Sequence, residues 1–191
     1  MADNKVRYGF KNVYYSVIDK SGETFTFSIP KKWPGAKSIT LDVSGDSSIF
    51  YADDIAFFTT SNMSGYTGTL EMSYITDDIK KEIYGYLETK DGLLVEVLNA
   101  QPKDVALLFE CQGDAKAKRH CFYQCSLARP SFEAETKGES IDPKTVSIGI
   151  TITPIAVDEN DIASCVAAKG ATGYETFFTT APKLPTEFAE A

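Results

Sequence analysis

Read in steps of two, the chain breaks into short alternating runs. Val105, Leu107, Phe109 and Cys111 share one face, and Cys121, Tyr123, Cys125 and Leu127 share another. Val146, Ile148, Ile150 and Ile152 share a third, with Thr145, Ser147, Gly149, Thr151 and Thr153 opposite. Alternation with period two marks a strand with one buried and one polar side. Gly113-Asp114, Gly138 and Asp142-Pro143 interrupt the runs, so residues 105–154 predict three strands of one sheet. A wet face argues for antiparallel pairing, because parallel strands are covered on both sides.

The same pattern recurs upstream. Val13, Tyr15 and Val17 alternate with Asn12, Tyr14 and Ser16, and the turn Asp19-Lys20-Ser21-Gly22 leads to Phe25, Phe27 and Ile29 before Pro30. This reads as a hairpin. After Trp33-Pro34-Gly35, Ile39, Leu41 and Val43 alternate with Ser38, Thr40 and Asp42; later, Leu70, Met72 and Tyr74 alternate with Thr69, Glu71 and Ser73. Thr76-Asp77-Asp78 opens the one predicted helix, with Thr76 as cap and the aspartates where the helix dipole favours negative charge. Ile79, Ile83 and Tyr86 form its inner face, and Gly85 ends it near Leu87. A further strand is predicted over 93–98 and a short edge strand or charged loop over 133–138. The prediction is a mainly β chain, an antiparallel β-sandwich or barrel with one flanking α-helix. Residues 1–180 form one domain, and 181–191 are expected to be a mobile tail.

The connection over 44–67 does not look like a solvated loop. It carries Ile49, Phe50, Tyr51, Ile55, Phe57, Phe58 and Tyr66. Loops longer than about 12–15 residues are uncommon in compact domains and usually functional. The connection either folds back over the sandwich, as a cover or an extra hairpin, or reaches out and buries its aromatics against another subunit. A large exposed apolar patch implies a partner, which makes these seven residues candidate subunit contacts.

Charge narrows the partners. Nineteen Lys and Arg stand against 27 Asp and Glu, a net charge of -8, which argues against a grip on nucleic-acid phosphates. No apolar run approaches the roughly 20 residues of a membrane span, and the opening Met-Ala-Asp-Asn-Lys-Val-Arg lacks the apolar core of a signal peptide. A protein made in the cytosol is expected, with its four cysteines reduced.

Candidate chemistry is sparse. His120, the single histidine, sits opposite Cys121 and Cys125 on the alternation and has no apparent triad partner. Cys121 and Cys125, with Cys111 and His120, make a faint metal pattern, but they lie within strands rather than on ligand-bearing turns. Asp53-Asp54, Asp77-Asp78 and Asp158-Glu159-Asn160-Asp161 lack calcium-loop spacing and read as solvated acidic stretches. No catalytic residue, cofactor or metal is predicted.

Several segments, taken in order, resemble the major tail proteins of long-tailed, non-contractile bacteriophages. They are Lys5-Val-Arg-Tyr-Gly-Phe-Lys-Asn-Val-Tyr-Tyr15, Pro34-Gly-Ala-Lys-Ser-Ile-Thr-Leu41, Gly45-Asp46, Phe50-Tyr-Ala-Asp53 and Gly65-Tyr-Thr-Gly-Thr-Leu-Glu71. Further on come Val105-Ala-Leu-Leu-Phe-Glu110, Gly113-Asp114, Arg119-His120, Tyr123-Gln-Cys125, Arg129-Pro130, Thr136-Lys137 and the strand at 145–154. The resemblance covers about residues 5–155. It implies a virion structural protein, made in the host cytoplasm, whose hexameric rings stack into a tail tube. Tape-measure, tail-terminator and distal-tail proteins are its implied neighbours, and DNA passes through without specific binding. It assigns no catalytic residues. On that reading the polar face bearing Asp42 and Glu71 is the first candidate for the lumen wall. The rival readings are a monomeric β-sandwich binding module, for carbohydrate for example, and a tube protein of a contractile injection system.

Overall fold

The structure, a computed structural model, describes residues 9–22, 24–52, 55–111, 117–132 and 144–188, with only the backbone of 46–52 and 56–61. The breaks expected at Gly113-Asp114, Gly138 and Asp142-Pro143, and the short strand expected over 133–138, lie outside the described residues.

The strands in chain order are β1 (Phe10–Ser21), β2 (Thr24–Phe27), β3 (Lys31–Lys32), β4 (Ala36–Ala52) and β5 (Ile55–Met72). The helix α1 (Asp77–Tyr84) follows, then β6 (Leu87–Glu88), β7 (Leu94–Val95), β8 (Val105–Cys111), β9 (Arg119–Leu127) and β10 (Val146–Ile152). The last are β11 (Ile155–Val157), β12 (Asn160–Ile162) and β13 (Ser164–Ala167). Nine strands form one antiparallel sheet in the order β2-β1-β8-β9-β10-β5-β4, with β3 added on β1 and β13 on β9. The expected mainly β antiparallel fold with one flanking helix is what the chain adopts. The strand expected over 93–98 shrinks to the two residues of β7, paired only with β6; Leu93 and Leu98 are exposed and have no core to join.

The sheet curls. Lys31 and Lys32 pair with β1, while Ala36 already pairs with Met72 at the opposite edge of the sheet. Four Cα steps reach at most about 14 Å, so Trp33-Pro34-Gly35 brings the two edges near each other without closing a barrel. Inside the curl lies the first core. It is built by Val13, Tyr15, Trp33, Leu70, Met72, Val105, Leu107, Cys125, Leu127, Ile148, Ile150 and Ile152, with Ile79, Ile83 and Tyr84 of the helix. The helix forms as expected: Thr76 accepts the Ile79 N–H, and Gly85, in the left-handed region at φ 71°, ends it. Tyr84 is its third buried residue, where the sequence suggested Tyr86.

A second core occupies the other face of β8 and β9. Every residue from Val105 to Phe109 is buried, including Ala106 and Leu108 at 0% and 1% exposure, so β8 has no wet side. Ala106, Leu108, Cys121, Tyr123, Ile18, Phe27, Ile155 and Ile162 make this cluster, with Phe177, Phe178, Ala181 and Leu184 packed over it. The first residues of the tail expected to be mobile thus lie against the sheet, and Tyr123 Oη donates to Lys183 O at 3.0 Å.

One irregularity in β9 serves both cores. Val105 pairs with Cys125 but Leu107 pairs with Phe122, which leaves one extra residue on β9. A bulge of this kind reverses the alternation along a strand. Cys121 and Tyr123 therefore face the second core, while Phe122, Cys125 and Leu127 face the first. The reading that Cys121, Tyr123, Cys125 and Leu127 share one face is corrected accordingly.

Candidate functional site

Two surfaces of the folded chain stand out. One is a broad polar face and the other a long ribbon.

The polar face is the outer side of β4, β5, β10 and the end of β9. Register sets its rows: Asp42 stands opposite Thr67, Thr67 opposite Thr151, and Thr151 opposite Ser126. The next row is Thr40, Thr69 and Gly149, and the next Ser38, Glu71 and Ser147. The alternation explains why, since the partners on the other side (Leu70, Met72, Ile148 and Ile150) fill the first core. Asp42, Thr40, Thr67, Thr151, Ser126 and Ser147 are exposed, and Glu71 is half-buried. Glu71 pairs with Lys37 Nζ at 3.0 Å and accepts from Ser38 Oγ at 3.0 Å. Lys37, and then Ser38, hold its carboxyl below the usual range. At the margin Asp104 accepts from Ser126 Oγ at 2.6 Å and from Gln124 Nε2 at 2.8 Å. Asp42, Glu71 and Asp104 thus face one lysine, Lys37. The face is smooth, short in side chain and weakly negative.

The ribbon is the surprise within the 44–67 connection. Its described residues form an extra hairpin, one of the forms the sequence allowed, but one that runs on from the sheet. β4 and β5 run on to the Ala52–Ile55 pair, with no third strand among the described residues. β10 accompanies β5 only from Met72 to Tyr66. Beyond that point Ser44–Ala52 extends about 30 Å at roughly 3.3 Å per residue. Glycines set its root. Gly65 has φ 143°, and a Cβ there would stand 2.1 Å from Ile152 O; a Cβ on Gly68 would meet Thr40 O at 1.9 Å. Both positions need a residue without a side chain because backbone passes directly beside them.

Of the seven residues singled out in this stretch, Ile55 stands 62% exposed at the far end. Phe50 and Phe58 are cross-strand partners, as are Ile49 and Thr59, and Tyr51 and Ala56. The side chains of Ile49, Phe50, Tyr51, Phe57 and Phe58 lie outside the described residues. Tyr66 belongs elsewhere: it is half-buried at the root, edge-on to Phe122 with ring centroids 5.7 Å apart. The sequence reading passed over Val43 and Met63 as contact candidates. They are 66% and 52% exposed on the ribbon and its root. Val43 continues the Ile39-Leu41 alternation, but the first core ends before reaching it.

The other candidates stay apart. His120 stacks on Phe109, centroids 5.3 Å apart, and its strand neighbour is Val166. Cys121 and Cys125 face different cores. Asp158 and Glu159 form the turn between β11 and β12, with Asp158 at φ 53°. Among the described residues no three His, Cys, Asp or Glu side chains come together so as to hold a metal ion. Among them, too, no helix is long and apolar enough to cross a membrane.

No family model matches the chain. No curated protein matches it either. Among solved structures it is similar to a cryo-EM structure described as the anti-feeding prophage cap, a tube-terminating cap, with TM-score 0.40 and 13% identity. That likeness spans 88% of this chain and 99% of the other. It is too weak to carry an argument about what the chain does.

Proposed function

We propose that the chain is a non-enzymatic structural subunit that assembles with copies of itself into rings, stacked as the tail tube of a long-tailed phage. The observation that carries this reading is the ribbon. A two-stranded hairpin is at best marginally stable alone in water. This one has exposed Val43, Ile55 and Met63, and among the described residues no third strand pairs with either of its edges beyond Tyr66. Unpaired edges are templates for further pairing. A 191-residue subunit has a radius of gyration of about 16 Å, so a 30 Å ribbon reaches across most of a neighbouring copy. A partner of the same size and shape satisfies both its apolar groups and its edges.

The polar face is the natural wall of the channel. Duplex DNA carries one negative charge per roughly 1.7 Å of axis. Short hydroxyls with a slight excess of carboxylate repel it weakly, and the one lysine of the face, Lys37, is already paired with Glu71. Asp42 and Glu71 are assigned to the lumen on this basis, and the resemblance supplies six subunits per ring, the phage setting and the neighbouring tail proteins.

The test is the assembly state of the purified chain. Size-exclusion chromatography and negative-stain microscopy should show rings or tubes, spontaneously or after seeding with tail fragments. A monomer that stays monomeric when seeded at high concentration supports the rival reading of a single-copy binding module. For the lumen, Asp42→Lys with Glu71→Lys should leave tubes intact but slow DNA exit, and full infectivity in that double variant removes both residues from the channel wall.

A further inference from the structure

Cys121 and Cys165 are directly opposed on β9 and β13. Tyr123 donates its N–H to Ala163 O at 3.0 Å, and the 121/165 pair lies two residues further along the same ladder. Hydrogen-bonded antiparallel partners stand about 5.5 Å apart at Cα, inside the roughly 4.4–6.8 Å that a disulfide spans. Both cysteines line a small cavity with Leu108, Tyr123, Phe177 and Pro182, beneath the C-terminal segment. Cys121 is buried, and Cys165 is partly open to solvent. Neither of the remaining cysteines competes. Cys125 faces the other core because of the bulge in β9, and Cys111 sits at the far end of β8, opposite Phe10.

We propose that Cys121 and Cys165 are a reversible dithiol–disulfide pair that staples β13 to β9 and so fixes the C-terminal cover over the second core. Hydrogen peroxide serves as the oxidant. The thiolate of Cys165 attacks one peroxide oxygen and breaks the O–O bond, giving a sulfenic acid and hydroxide, which takes up the proton released by Cys165. The Cys121 sulfur then displaces the sulfenic hydroxyl, forming the S–S bond, and its own proton leaves with that hydroxyl as water. Two thiols are oxidised and one peroxide is reduced to two waters. The division of labour follows from the site. A hydrogen bond from Cys121, with the Tyr123 hydroxyl close by as a smaller influence, lowers the Cys165 thiol to about 7 despite burial. The same contact and its deeper burial keep Cys121 protonated. A nucleophile at the cavity mouth and a resolving thiol beneath it is the arrangement of a redox-responsive pair. The pair stays reduced in a reducing cytosol and closes when the protein meets an oxidising medium.

The experiment uses the full chain, purified with reductant, freed of it and treated with a small excess of hydrogen peroxide. Alkylation and peptide mapping by mass spectrometry should find a linked peptide containing Cys121 and Cys165, lighter by two hydrogens than the reduced pair. The melting temperature should rise by roughly 10 °C for a loop of this length and return to its starting value with dithiothreitol. Cys165→Ala should melt near the reduced parent and show no oxidative rise. If that variant does not fold, the map of the unaltered chain decides alone. Both thiols remaining alkylatable, Cys165 ending as sulfinic or sulfonic acid, a different pairing, or a disulfide between two chains each overturns the proposal.

Discussion

The ribbon offers a way to separate assembly from folding with one substitution, Ile55→Asp. In the free subunit Ile55 is 62% exposed at the end of a hairpin that pairs with no third strand among the described residues. Replacing it there removes little packing. The cost is within about 1 kcal/mol, most of it the poor strand propensity of aspartate. For a chain of this size that lowers the melting temperature by no more than about 4 °C. Buried against a neighbouring copy, the same position behaves differently. Full burial of an isoleucine side chain contributes roughly 1.5–3 kcal/mol, and 62% of it remains to be gained on assembly, which is about 1–2 kcal/mol. The substitution forfeits that and drives an unpaired carboxylate out of water, at a further cost of about 2 kcal/mol or more. The total is at least about 3 kcal/mol per contact, more than a hundredfold in association at about 1.4 kcal/mol per tenfold. Sedimentation velocity over a hundredfold concentration range, with negative-stain images of each sample, reads that shift directly. Circular dichroism melts of dilute protein read the folding side. A variant that melts like the parent and assembles at the parent's concentration refutes the claim that the ribbon is buried between copies.

The remaining predictions concern the subunit itself. Tyr84 is buried and its hydroxyl has no hydrogen-bond partner among the described residues, so Tyr84→Phe should be neutral or stabilising by up to about 2 kcal/mol in urea unfolding; a loss of stability would reveal a partner for that hydroxyl. Gly65→Ala should cost about 3 kcal/mol, because φ 143° suits only glycine and the new Cβ meets Ile152 O; a melting point within a degree or two of the parent contradicts the close approach. Burial works against ionisation of Glu110, but hydrogen bonds from Asn12, Lys11 and Arg119 outweigh it and lower its pKa. Its contribution is therefore complete above the unfolded value and disappears as pH falls through the folded one. In acid titrations Glu110→Gln should be less stable than the parent at neutral pH, with the gap closing at low pH; a pH-independent gap would assign the effect to packing alone.

How much of this was legible in the chain depends on what each pattern reports. Strand alternation describes a face and the core directly beneath it, so β1, β4, β5, β9 and β10 could be read from their inner residues, and the polar rows through Asp42 and Glu71 with them. The helix was equally legible, because Thr76 and Gly85 act within one turn of their own positions. β8 misled the alternation reading. Val105-Ala-Leu-Leu-Phe109 is a continuous apolar run, the signature of a strand covered on both sides, yet its odd members alone made a convincing one-sided strand. What covers the second side is Phe177, Phe178 and Leu184, far away in sequence, and no local period points to them. The bulge in β9 was hidden for a related reason. Cys121, Tyr123, Cys125 and Leu127 keep apolar residues at odd positions straight through the extra residue, because two cores on opposite sides accept the same residue types, and only Phe122 breaks the pattern.

The ribbon was legible only as one alternative, an extra hairpin, and for the opposite reason. Its described backbone is strand, but alternation is enforced by a core, and the first core already stops short of Val43, 66% exposed. Without one the period is not enforced, and the consecutive Ile49, Phe50 and Tyr51 of the sequence read as a greasy loop, a cover or an extra hairpin. The loss of period thus carries information in itself. A stretch that holds strand pairing over the Ser44–Gly65 to Ala52–Ile55 ladder while abandoning one-sidedness has no inside of its own. On the proposed assembly a neighbouring copy meets it. That is why Ile55→Asp, which leaves the subunit's own core untouched, is the substitution on which the assembly reading stands or falls.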